Sequence, residues 1–166
     1  EEFALEPLGE ELLEALREKQ VGKIARIVER EKFDVDAPLT EDAETAVHVV
    51  VELRGTRRDP TYVAVLRNLL RLGADPNRKR RGGQTAAHRC AAFDLVDCLE
   101  TLHEFGADVD VADADGYAPA HAAAALGSAA AIAWLVGAGR VHVERLHASG
   151  ATLAYVRRRR NLPRRG

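Results

Sequence analysis

Gly73, Ala74, Asp75, Pro76 and Asn77 open a stretch that runs through Arg78, Lys79, Arg80 and Arg81, then Thr85, Ala86, Ala87 and His88, to Gly106, Ala107, Asp108, Val109 and Asp110. Its Gly-Ala-Asp triplet occurs twice, 33 residues apart. Self-similarity at a fixed period of this size marks a stacked repeat architecture, in which each unit is one supersecondary element. Apolar residues follow the same period. Val96, Leu99 and Leu102 stand 10, 7 and 4 residues before Gly106, and Val63, Leu66 and Leu69 stand at those offsets before Gly73. The repetition therefore covers packing positions as well as turns.

Reading outward from this stretch, the start of each unit recurs as Thr45-Ala46-Val47-His48, Thr85-Ala86-Ala87-His88 and Ala118-Pro119-Ala120-His121, with a further start at Thr152. The corresponding positions are separated by 40, 33 and 34 residues. Upstream, Leu12, Leu13, Leu16, Val21, Ile24, Ile27 and Val28 recur at helical spacing with a break near residues 20–22, which predicts two helices joined by a tight turn. In the second unit a helix is expected from Thr45 to about Leu53. The polar, glycine-containing segment 54–58 reads as a loop, and a second helix is expected to begin at Asp59 and Pro60, a capping carboxylate followed by a proline at the first turn. Val63, Leu66, Leu69 and Leu70 form its expected buried face, and Gly73 its end. The second unit is long: His48 to Gly73 covers 25 residues against 18 from His88 to Gly106, and the seven extra residues fall between its helices. In the third unit the helices are expected over about 86–93 and 95–105, and in the fourth Ile132 and Leu135 precede Gly139 by 7 and 4 residues.

Composition bounds the function. The chain has 166 residues, enough for one domain, with 46% apolar and 30% charged residues, which suits a folded chain rather than a disordered one. Aromatic residues make up only 5%, so the core must be built from Leu, Val, Ile and Ala, which favours close-packed helices. Two cysteines, Cys90 and Cys98, cannot form a disulfide framework, and no N-terminal apolar segment suggests a signal peptide, so an intracellular, cytoplasmic setting is expected. Methionine is absent even at position 1, which leads to the expectation of a fragment or a processed product. The net charge of −2 conceals alternating blocks: −8 over residues 1–50, +7 over 51–89, −7 over 90–150 and +6 over 151–166.

These residues resemble the ankyrin repeat, whose pattern places Gly, any residue, Thr, Pro, Leu, His at the first helix and Gly, Ala, Asp, an apolar residue, then Asn or Asp after the second. The resemblance spans about residues 10–160 and departs from the pattern in two respects: no unit has the full Thr, Pro, Leu, His quartet, and the first unit lacks the terminal glycine. Proline appears in the quartet only as Pro119, where Ala118 replaces Thr, and Glu31 and Lys32 stand where the first unit would have its glycine. It implies an all-α solenoid of helix-turn-helix units with projecting turns, or fingers, in units at about 9–38, 39–77, 78–110, 111–143 and a half unit at 144–161. It also implies a protein-binding scaffold without chemistry of its own, an inference that fold alone does not license. A structural subunit locked into a large assembly is the alternative, and nucleic-acid binding through the arginine clusters a lesser one.

Candidate sites follow from residues surplus to the pattern. His48, His88 and His121 occupy the repeat's histidine position, which favours a structural hydrogen-bonding role over metal or acid/base chemistry. The spacing of His88, Cys90, Cys98 and His103 matches no common zinc pattern, so no metal and no cofactor is expected. Residues 116–139 carry no charge but contain eleven alanines, Pro119 and His121, which reads as two thin, closely packed helices rather than a membrane span. No phosphate-binding glycine loop, carboxylate pair or nucleophile constellation occurs at interpretable spacing, so no enzymatic activity is expected. Arg78, Lys79, Arg80 and Arg81 fall in the finger between the second and third units, next to a finger with Asp113 and Asp115, and together with Arg89 suggest a partner protein or peptide with an acidic segment. Acidic bands on either side make nucleic acid the weaker partner. Leu53, Phe93 and Leu126 each lie five residues after a repeat histidine. They form either an apolar contact stripe or packing against the next repeat or the 54–58 segment. Tyr117, beside a helix start, is a candidate anchor.

Overall fold

Apolar spacing and turn residues together dictate a chain of short helices. The computed structural model describes residues 6–137, in which the helices are α1 (Pro7–Arg17), α2 (Val21–Ala25), α3 (Ala46–Arg57), α4 (Tyr62–Arg71), α5 (Ala86–Ala92), α6 (Val96–Glu104), α7 (Pro119–Leu126) and α8 (Ala129–Gly137). A π turn, Arg26–Arg30, widens the end of α2. The start at Thr152, the half unit at 144–161 and Gly139 lie outside the described residues. First helices stack on one another in the order α1, α3, α5, α7, and second helices in the order α2, α4, α6, α8. One core runs through the stack. Leu12, Leu16, Ile24, Ile27, Val50, Leu66, Leu69, Leu99, Leu102 and Leu135 are buried along it, with alanines 86, 87, 91 and 123 where first helices approach closely. No short helix pair buries enough surface alone, so neighbouring pairs share this core.

The punctuation has a backbone cause. Gly73 and Gly106 end their helices at φ +96° and +87°, a left-handed conformation that a side chain disfavours. In the first unit Lys32 adopts φ +53° at the equivalent position, so the turn survives the missing glycine at a conformational cost. Within the pairs, Lys19, Arg58, Asp94 and Gly127 hold the same left-handed turn between first and second helix, with φ between +53° and +70°.

Three expectations are corrected. Segment 54–58 is not a loop: α3 continues through Arg57 and turns at Arg58. Counted from the repeat histidine, the left-handed turn comes ten residues after His48 but six after His88 and His121, so four of the seven extra residues add about one helical turn to α3. The other three lie in the turn before α4. There Asp59 does cap, accepting bonds from the Thr61 amide (2.9 Å) and hydroxyl (2.7 Å), although the helix itself starts only at Tyr62. Val63 and Val96 are half-buried rather than core; Tyr62, Val65, Leu95 and Cys98 fill those layers instead. Tyr62 is fully buried, and its hydroxyl donates to the Arg17 carbonyl at 2.8 Å, tying the second unit to the first. The uncharged run from Gly116 forms two helices parted at Gly127, and no helix among the described residues is long and apolar enough to cross a membrane.

Candidate functional site

The fingers are set by a two-residue network at the starts of α3, α5 and α7. Nδ1 of His48 accepts from the Thr45 amide (3.3 Å) and hydroxyl (3.1 Å), and Nδ1 of His88 does the same with Thr85 (3.1 Å for each). His121 keeps the amide bond to Ala118 (3.0 Å), where no hydroxyl is present. Because Nδ1 accepts, the proton sits on Nε2, and His88 Nε2 donates to the Tyr117 carbonyl of the next finger at 2.9 Å. His48 Nε2 faces the Gln84 carbonyl without closing a bond of full geometry. Burial holds all three imidazoles below their ordinary range, His48 to about 4. They are neutral pins held by hydrogen bonds.

Adjacent fingers are then laced together. The Arg81 amide donates to the Asp42 carbonyl (2.7 Å) and the Ala114 amide to the Gly82 carbonyl (3.0 Å), the same register in successive units. A Cβ on Gly83 would lie 2.7 Å from the Ala114 nitrogen, so this approach requires glycine. Lower down, the Asp75 amide donates to the Asp36 carboxylate (3.0 Å) and the Asp108 amide to Asn77 Oδ1 (2.7 Å), while Asn77 Nδ2 donates to the Gly106 carbonyl (3.1 Å). Desolvation raises the Asp36 carboxyl, which has acceptors where Asn77 also has a donor.

This lattice sorts the sequence-predicted residues. Arg78, Lys79 and Arg81 are exposed on the second finger. Among the described residues no ion pair engages the side chain of Arg78 or Arg81, and Lys79 Nζ donates to the Ala112 carbonyl at 3.3 Å. Arg80, in the same run, is turned inward: its guanidinium meets Glu44 Oε1 at 3.0 Å and Gln84 Oε1 at 2.7 Å, and its side chain is only 16% exposed. Arg89 is likewise drawn inward, with Nε 3.3 Å from Glu52 and its guanidinium 5.8 Å from the centre of the Phe93 ring. Glu44 and Glu52, which the sequence reading missed, are thus the anions that consume two of the five candidate cations. Nothing in their local sequence marks them, because their partners lie some 36 residues away for Glu44 and in the next helix pair for Glu52.

The apolar register does not form a continuous surface stripe. Leu53 and Phe93 are partly buried against the core, while Leu126 is 50% exposed. Phe93 lies on the extra turn of α3: a Cβ on Gly55 would fall 2.5 Å from its ring, so the glycine makes room for the aromatic. Arg54 completes the junction with a bond to Asp97 Oδ2 at 2.9 Å. Tyr117 is half-buried, its ring edge-on to His121 at 5.8 Å and its carbonyl held by His88.

The residues of the Cys/His cluster are taken up by packing. Cys90 and Cys98 are buried, with the Cys90 thiol pushed well above its ordinary value by desolvation, and His103 lies against Trp134. Among the described residues no three His, Cys, Asp or Glu side chains converge on a metal-binding point.

Comparison with known proteins agrees with the repeat geometry. A family model described as Ankyrin repeats (3 copies) matches residues 59–145, just over half of the chain. The chain is also 42% identical over 55 residues to the potassium channel AKT1 of Oryza sativa subsp. indica, and equally to that of Oryza sativa subsp. japonica. The shared segment is 33% of this chain and 6% of each channel, so the chain spans a small part of the curated relatives it matches.

Proposed function

The chain belongs to the ankyrin-repeat family, and on that premise we propose that it is a non-catalytic intracellular protein-interaction module whose second finger receives an acidic segment of a partner protein. One observation carries the reading. Of five candidate cations, Arg80 and Arg89 are spent on Glu44 and Glu52, whereas Arg78, Lys79 and Arg81 project from a finger whose backbone is fixed on both sides. Exposed charges on a rigid support steer association and set specificity more than they stabilise the fold. Leu126 is the apolar contact retained in this reading; Leu53 and Phe93 are assigned to packing.

The test is charge reversal at Arg78, Lys79 and Arg81 together, followed by titration with a fluorescein-labelled oligoglutamate peptide. Affinity at low ionic strength should fall by about tenfold or more, with no change in melting temperature. Arg80→Glu should instead lower the melting temperature, because it places a carboxylate against Glu44. An unchanged affinity of the triple variant would refute the assignment.

A further inference from the structure

A cleft of about 470 Å³ opens between the first and second fingers. Ligand pockets span about 300–1,000 Å³, so this space admits a side chain together with the backbone that carries it. Pro38 and Ala43 line it from the first finger, Arg78 and Lys79 from the second, and Asp36 and Asp75 from the segments leading into them. Both acids already accept backbone amides. Asp36 receives the Asp75 N–H on its two oxygens, at 3.0 and 3.2 Å, and Asp75 Oδ1 receives the Asn77 N–H at 2.8 Å.

The cations are less committed. Lys79 gives one of its three ammonium protons to the Ala112 carbonyl. Among the described residues Arg78 enters no ion pair within 4.0 Å. It does act on Asp36: desolvation raises that carboxyl, and the charge of Arg78 opposes the rise. Arg81 does not line the cleft.

From this lining we infer that the cleft between the first two fingers receives one acidic residue of the partner peptide, with its carboxylate on Arg78 and Lys79. The inference rests on the reading that the second finger binds an acidic segment. The methylenes of that residue lie against Pro38 and Ala43, and its backbone N–H donates to Asp75 Oδ2. Arg81, outside the cleft, attracts acids that neighbour the seated one but holds none of them in place. Asp36 is the internal competitor, because a carboxylate entering the cleft shares Arg78 with it. In the next unit Asn77 holds the equivalent place, its Oδ1 accepting the Asp108 amide as Asp36 accepts that of Asp75. Asp36→Asn therefore keeps the bond between units and removes only the competing charge.

Titration with the fluorescein-labelled oligoglutamate peptide at low ionic strength tests the cleft. Arg78→Gln should weaken binding by about tenfold and Arg81→Gln by less than about threefold, whereas Asp36→Asn should tighten it by about threefold. Ala43→Met adds bulk to the cleft wall without changing charge, and should weaken binding by about tenfold. Ala43 holds φ +57°, a conformation in which Lys19, Lys32 and Arg58 already carry long unbranched side chains, so the backbone accommodates this substitution. On the unaltered protein, a ¹⁵N–¹H NMR titration should shift the amides of Ala43 and Asp75, which keeps the inference testable if a variant fails to fold. If the peptide binds but leaves those amides unmoved, or if Ala43→Met leaves affinity unchanged, the cleft is overturned. The acidic-segment reading then still stands on the combined reversal of Arg78, Lys79 and Arg81. If that reversal also leaves affinity unchanged, both fall.

Discussion

The second and third units carry the same punctuation, yet one is seven residues longer, and the contrast shows what a stacked array tolerates. In the third unit α5 turns at Asp94 directly into α6; in the second, α3 runs about one turn further before Arg58. The extra turn does not disturb the stack, because each unit contacts only its neighbours. It is put to use there: Gly55 receives Phe93 and Arg54 reaches Asp97, so the longer unit clamps the shorter one. The two units also differ at their pins, since His88 Nε2 has its carbonyl at 2.9 Å while His48 Nε2 does not close the equivalent bond.

The largest effect expected from this contrast is on pH dependence. The buried His48 has its pKa lowered from 6.5 to about 4, so the folded state binds its proton less readily than the unfolded chain. Its contribution is fully present above about pH 6.5 and is lost as pH falls toward 4, at most about 3 kcal/mol. Urea denaturation at pH 7 and pH 4 should show this loss, and His48→Gln should flatten the difference. A slope unaltered by that substitution would remove His48 as the acid-sensitive pin.

Next in size is the clamp itself. Phe93→Asp should destabilise the fold by about 2 kcal/mol, since it removes a half-buried ring and sets a carboxylate on the α3 backbone. Phe93→Leu should recover most of that stability. A Phe93→Asp variant with an unchanged denaturation midpoint would return Phe93 to the surface stripe. The smallest effect is expected of Arg54→Met, about 1 kcal/mol, because the pair with Asp97 is partly solvated. Its loss should appear as faster amide exchange in the last turn of α3, where Arg54 sits, and less so at the first turn of α6, where Asp97 sits.

Which parts were legible follows the range of the interactions. The Thr-x-x-His starts and the Gly-Ala-Asp turns act within a few residues, so the helix pairs and the places where fingers begin could be read directly. The turn at Lys32 shows the limit of that reading, since a lysine serves where glycine is the usual signal. Segment 54–58 misled because a glycine among arginines has weak helix preference, and the partners that keep it helical, Phe93 and Asp97, lie in the next unit. The basic run misled in the same way. Arg78, Arg80 and Arg81 are chemically identical, and only the position of Glu44 across the finger separates the inward one from the outward two.

The amino-acid sequence by itself determined the repeat: its period, its buried leucines and the left-handed turns that glycine marks, all consequences of local sterics and helical spacing. The tertiary structure alone decided which of its charges remain on the surface. That choice depends on how stacked units present distant carboxylates to each cation, a relation that only the assembled stack creates.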